Sequence, residues 1–199
     1  MDLIATLGRT AAFSFTSGVN LYATIAIIGL ASRFGWVSLP PQFRVFDSDV
    51  VIGVALVMYL VEFVADKIPY VDTAWDIVHT VIRPAGGALI AVTSLGETSP
   101  ALTGLAAVLG GTLAAGSHLT KTSTRAAANA SPEPLSNWIL SVVEDGFVVG
   151  LGVLALTHPV AALVTTAVLA LAVAACLTLI LRTVRRWFAR RKPLATPFA

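Results

Sequence analysis

The sequence predicts an all-α membrane protein, a bundle of about six transmembrane helices. Three observations predict it. Hydrophobic residues make up 56% of the 199 and charged residues 12%; an ordinary soluble domain carries about twice that share of charge. Uncharged runs reach 23 residues at Thr10–Ser32 and at Thr98–Thr120, and Gly146–Leu181 runs 36 residues without Asp, Glu, Lys or Arg. A bilayer crossing needs roughly 20. The lysines and arginines also divide unevenly about those runs. This balance excludes a disordered chain, a nucleic-acid binder and a disulfide scaffold, and the single cysteine, Cys176, has no partner within the chain.

The first helix is expected over 10–32, bounded by Arg9 and Arg33. Ser14, Thr16, Ser17, Asn20, Tyr22 and Thr24 make it a poor signal peptide. The second, 50–66, follows Pro40-Pro41 and carries Glu62 and Asp66 in its last turns. The third, 74–95, follows Pro69, with His79 and Arg83 in its first turns. The fourth, 100–120, opens at Pro100. The fifth, 135–157, carries Glu144 and Asp145, and His158-Pro159 divides it from the sixth, 159–184. Six crossings put both termini on one side. That side collects Arg9, Lys67, Arg83, Lys121, Arg125 and six tail residues, eleven of thirteen, against Arg33 and Arg44 on the other. The positive-inside rule then makes both termini cytoplasmic. Residues 1–184 read as one transmembrane domain and 185–199 as a basic cytoplasmic tail set among anionic lipid headgroups.

The polar residues inside these helices fall into stripes. Glu62 and Asp66 are four apart. Asp72, Asp76, His79 and Arg83 are spaced 4, 3, 4; His118, Lys121 and Arg125 are spaced 3, 4; Asn137, Ser141 and Glu144 are spaced 4, 3, with Asp145 alongside. Such spacing places each set on one helix face. Ionisable groups at membrane depth are costly and mark pathways or sites. The candidates for a substrate or ion pathway are therefore Glu62, Asp66, Asp76, His79, Arg83, His118, Lys121, Arg125, Glu144 and Asp145, with Asn20 in the first helix. Glu62, Arg83, His118, Lys121 and Glu144 are expected to converge on one site, Glu144 lying near Lys121 or Arg83. The acids exceed the bases by two, a deficit that two protons or a bound cation would balance. Plainer roles stay open: Asp72 as a helix N-cap, Lys67, Asp72 and Arg125 as solvated loop residues, and an Arg83–Glu144 ion pair that fixes packing. No cofactor motif is present. Asp72-Thr-Ala-Trp-Asp76 with Glu62 and Asp66 has the oxygen-rich character that Mg²⁺ takes, without the fuller aspartate signatures of lipid-diphosphate enzymes.

The segments VEFVADKIPYVDTAWDIVHTVIRPAGG, Val61 to Gly87, and SHLTKTSTRAAANASPEPLSNWILSVVEDG, Ser117 to Gly146, resemble a bacterial integral-membrane family catalogued as domain of unknown function 4126. The resemblance covers roughly 10–175 and implies a polytopic protein of the bacterial inner membrane, with no activity attached. Gly18-Val-Asn20-Leu-Tyr22 and Gly116-Ser-His118-Leu-Thr120, followed by Glu62 and by Glu144, suggest an inverted repeat of three plus three with halves 10–95 and 100–184. Transporters often have that plan. The function expected is a small transporter or channel for a polar solute or ion, with protons coupled through histidines and carboxylates. The alternatives are an accessory or assembly subunit, working as a homo-oligomer or in a membrane complex, and a metal-dependent lipid-modifying enzyme.

Overall fold

A computed structural model describes residues 3–68, 70–130 and 134–190, the side chains of 134, 184 and 187–190 excepted. The chain is helical nearly throughout: α1 (Leu3–Val19), α2 (Leu21–Arg33), a 3-10 helix (Pro41–Asp47), α3 (Asp49–Ala65), α4 (Val71–Leu95), α5 (Pro100–Asn129), α6 (Pro134–Thr157) and α7 (Pro159–Arg190). Prolines open four of these, where the missing N–H is not needed. Among the described residues, four helices, α4 to α7, are long and apolar enough to cross a membrane; the 3-10 helix and α3, bent by 62° at their junction, bring the number to five when counted together as one span.

The first expected helix is corrected. Residues 10–32 form two helices, broken at Asn20, which has an extended backbone (φ −148°, ψ 101°). Its Oδ1 accepts from the Ala23 N–H at 2.9 Å and so caps α2. Asparagine favours such caps over helix interiors. The contacts to α6 show that the chain reverses at this break. α1 advances along α6, from Arg9 at the Leu156 carbonyl to Asn20 at Asp145. α2 retreats, so that Ile27 lies against Gly152. α1 and α2 therefore form a re-entrant hairpin with its tip at Asn20.

Two ends of the bundle can now be named. The far end carries the start of α1, the 34–48 segment, Gly96 and the α6–α7 turn; the near end carries the end of α3, the start of α4, the end of α5 and the start of α6. Gly8 sits on the Pro159 carbonyl at the start of α7, and α7 then runs the length of the bundle. The start of α1 and the end of α7 thus lie at opposite ends, which corrects the expectation of both on one side. The inverted repeat is corrected for the same reason. α1 and α5 run in the same direction, with Gly18 packed directly on Ala114 and Ser117, where the repeat required opposite directions. The basic tail expected over 185–199 lies, from residue 191 on, outside the described residues.

Burial follows membrane logic. α1 is enclosed by α4, α5, α6 and α7, and every residue from Ala12 to Val19 is buried. Its Ser14 hydroxyl donates to the Gly87 carbonyl at 3.1 Å, and Ser117 donates to the Phe15 carbonyl at 2.6 Å. Small residues permit this closeness. Of the four long candidate spans, the one with the highest mean hydropathy, within α7, is the least buried. The far half has an apolar core of Phe13, Phe43, Phe46, Ile90 and Ala155. Arg33 holds the far-end segment through Asp47 at 3.0 Å and through Asp49, and its hydrogen bond to Asp47 is the main influence raising the guanidinium pKa.

Candidate functional site

Three helices place charges at one depth. Glu62 on α3, Arg83 on α4 and Glu144 on α6 each stand about 20 Å from the far end of their helix, at 1.5 Å per residue. All the stripes turn inward. Glu62 and Arg83 have no exposed surface, and Asp66, Asp72, Asp76, His79, His118, Lys121, Arg125, Asn137 and Asn20 are also buried.

The network begins at Arg83. Its Nη2 donates to Glu62 Oε1 at 2.7 Å, and its Nη1 faces Asp76 Oδ1 at 3.2 Å and His118 Nδ1 at 2.7 Å. Lys121 Nζ continues it, to the same Glu62 Oε1 at 3.2 Å and to Asp66 Oδ2 at 2.9 Å, with Glu144 Oε2 at 3.5 Å. Arg125 closes it. Its Nε reaches both Glu144 oxygens at 3.2 and 3.1 Å and its Nη2 also donates to Oε2, while Asp66 Oδ2 lies at 3.1 Å. Asn129 extends it from Asp72 (3.0 Å) to Asn137 (2.6 Å). Isolated buried charges are expensive, and only such mutual pairing makes the burial tolerable.

The hairpin tip is wired into this network. A helix break leaves carbonyls without intrahelical partners, which membrane depth does not forgive. Here Lys121 Nζ donates to the Val19 carbonyl at 3.2 Å and Arg83 Nη1 to the Gly18 carbonyl at 3.4 Å. Two cations therefore sit at the negative end of the α1 dipole. Beyond the break, Asn20 Nδ2 donates to Asp145 Oδ1 at 3.2 Å, and Tyr22 meets His79 Nε2 at 3.0 Å.

All eleven residues picked from the sequence lie in this network or against the hairpin tip. Glu144 pairs with Arg125 and Lys121, not with Arg83. Arg125 is not a solvated loop residue, because α5 runs to Asn129 and not to 120, its polar face finding partners inside the bundle. Three participants were missed: Tyr22, Thr80 and Asn129. Asn129 continues the His118, Lys121, Arg125 stripe by another four, so the same spacing test reaches it. Lys67, outside the spans, lies over the Phe63 ring and donates to Ser141 Oγ at 3.1 Å. Burial is the main influence on its ammonium and pushes its pKa down, opposed by Asp145 and Asp66.

Counting Lys67, the six acids still exceed the four bases by two. Glu62 Oε2 and Asp66 Oδ1 are buried acceptors without a hydrogen-bond partner among the described residues. No three His, Cys, Asp or Glu side chains among those residues gather to hold a metal ion. Two grooves reach the network. One, of about 330 Å³ between α4 and α5, is lined by Thr73, Asp76, Thr80, Thr122, Ser123 and Arg125. The other, of about 300 Å³ among α1, α5, α6 and α7, has Lys121 and Glu144 within walls of Phe15, Leu140, Val143, Phe147 and Val173.

No curated protein and no solved structure matches the chain. Residues 7–179 match one family model, and over that span, which takes in the hairpin and the whole charged network, the chain belongs to the family described as Domain of unknown function (DUF4126).

Proposed function

We propose that this protein is a small membrane transporter for a polar solute or ion, with protons as the coupling ion, and that the hairpin tip and the charged network are its transport site. The observation that carries this reading is the break at Asn20. Two helix ends meet at membrane depth, and the freed carbonyls of Gly18 and Val19 point at Arg83 and Lys121. Interrupted helices whose ends converge on charges at mid-membrane are how transporters build solute sites. A purely structural bundle gains nothing from a broken helix there. The acid excess supplies the negative charge that a proton or small cation balances. The α4–α5 groove, with its hydroxyls leading to Asp76, is the aqueous route from the near end.

The same reading sets the protein in a bacterial inner membrane. Lys67 and the α7 residues Arg182, Arg185 and Arg186 gather at the near end, and Arg9, Arg33 and Arg44 at the far end, so the positive-inside rule turns the near end to the cytoplasm. Arg182, Arg185 and Arg186 then meet anionic lipid headgroups. The test is reconstitution into liposomes, with currents recorded on solid-supported membranes against jumps of H⁺, Na⁺, K⁺, small amines and small anions. A transporter gives a solute- or proton-dependent current that Glu62→Gln abolishes. Currents no larger than those of empty liposomes for every jump would overturn the reading.

A further inference from the structure

The two buried histidines look alike in sequence but are wired differently. His118 Nδ1 lies 2.7 Å from Arg83 Nη1. A guanidinium has only donors, so that ring nitrogen must present its lone pair. The ring proton then sits on Nε2 and points to Thr80 Oγ1 at 3.2 Å, whose own proton goes to the Asp76 carbonyl at 2.9 Å. Every position around His118 is assigned, and a second ring proton has nowhere to go without breaking the hydrogen bond from Arg83.

His79 is the reverse. Its Nδ1 faces the Trp75 carbonyl at 2.7 Å, an acceptor, so Nδ1 must carry the proton. Its Nε2 faces the Tyr22 hydroxyl at 3.0 Å, and a hydroxyl both donates and accepts. His79 therefore accepts a second proton on Nε2 while both of its hydrogen bonds survive: the hydroxyl rotates from donor to acceptor. Trp75 stacks on the ring at 4.5 Å between centroids, a face that favours an imidazolium. The charged and titratable groups around it are Tyr22 on α2, Glu62 on α3, Asp76 and Arg83 on α4, and His118 and Lys121 on α5.

We infer that His79 is the proton-accepting histidine of the site, switching its hydrogen bond with Tyr22 at the hairpin tip. His118 is a positioning residue, fixed as the Nε2–H tautomer, that aims Arg83 at Glu62. In the transfer, a hydronium ion gives its proton to the Nε2 lone pair and leaves as water, and the Tyr22 hydroxyl turns to accept the new N–H. Protonation is thereby registered on the first turn of α2. The tautomer assignment stands on geometry alone; only its place in a coupled cycle rests on the transport reading.

Nitrogen NMR of the full chain, ¹⁵N-labelled at histidine in nanodiscs, tests this. The chain has three histidines. His158→Asn, at the exposed α6–α7 turn, assigns one set of signals and His118→Gln a second. At pH 7.5, His79 is expected as the Nδ1–H tautomer and His118 as Nε2–H. As pH falls, His79 is expected to become doubly protonated first. Tyr22→Phe is expected to shift His79 Nε2 and leave His118 unmoved. The same tautomer at both rings, a proton on His118 Nδ1, or earlier protonation of His118 overturns the inference. These outcomes are read without any flux measurement, so they fail separately from the transport proposal.

Discussion

The near and far halves of this bundle are held by opposite means. The far half packs Phe13, Phe43, Phe46 and Ile90 as a soluble core does. The near half buries seven charged side chains, Glu62, Asp66, Asp72, Asp76, Arg83, Lys121 and Arg125, and ties them to a broken helix. In water the aromatic core would dominate stability. In lipid the order changes. An apolar side chain removed from the core is little worse off among acyl chains, so only its packing is lost. A charge deprived of its partner has no comparable refuge.

The largest expected effect comes from unpairing a charge. Glu62→Gln leaves Arg83 and Lys121 short of an acid, and Arg83→Met strands Asp76 and leaves Glu62 with Lys121 alone. Each is expected to cost about 3–5 kcal/mol of thermal stability in nanodiscs. The double variant should lose clearly less than the sum of the two. Additive losses would show that the network is a set of separate pairs, and would break the contrast between the halves.

Next is the close approach at the hairpin. A Cβ at Gly18 would meet the Ala114 carbonyl and Ser117 Oγ. Backbone on the facing helix cannot turn aside, so Gly18→Ala should cost about 1–3 kcal/mol. Gly53→Ala, where a Cβ meets nothing within 4 Å, serves as the control. Equal losses would mean that α1 is not seated on α5 as described.

Phe13→Ala sharpens the contrast from the far side. Buried completely, it would cost about 3–5 kcal/mol in a soluble core. With lipid as the reference, about 1–2 kcal/mol is expected, from weakened dispersion attraction. A loss matching that of Glu62→Gln would place the two halves on equal terms. The smallest effect belongs to Leu171→Ala on the lipid face of α7, where 71% of the residue is exposed. It should move stability by less than about 0.5 kcal/mol.

Much of this was legible in the residue order alone. The helical spacing of Asp72, Asp76, His79 and Arg83 announced an inward face, because a helix repeats every 3.6 residues whatever it packs against. The same rule applied to His118, Lys121 and Arg125 gave the facing stripe, and one more step along it would have found Asn129. Tyr22 and Thr80 were not legible. Their roles come from partners 57 and 38 residues away, and an uncharged hydroxyl does not stand out among the many in these helices.

The sequence by itself determined the class of the protein, the five apolar helices from residue 49 onward, and which residues turn from lipid. Composition and spacing report on solvent, and lipid excludes charge from any face it touches. Only the tertiary structure decided the direction of the chain after Asn20. A straight helix over 10–32 satisfies hydropathy as well as a hairpin does. What selects the hairpin is long-range: cations on α4 and α5 that take the freed carbonyls of Gly18 and Val19, and small residues on α4 and α5 that let α1 lie at the centre. Those partners come together only in the folded bundle. One reversal there changes which end α1 starts from, removes the inverted repeat, and brings the hairpin tip to the charges.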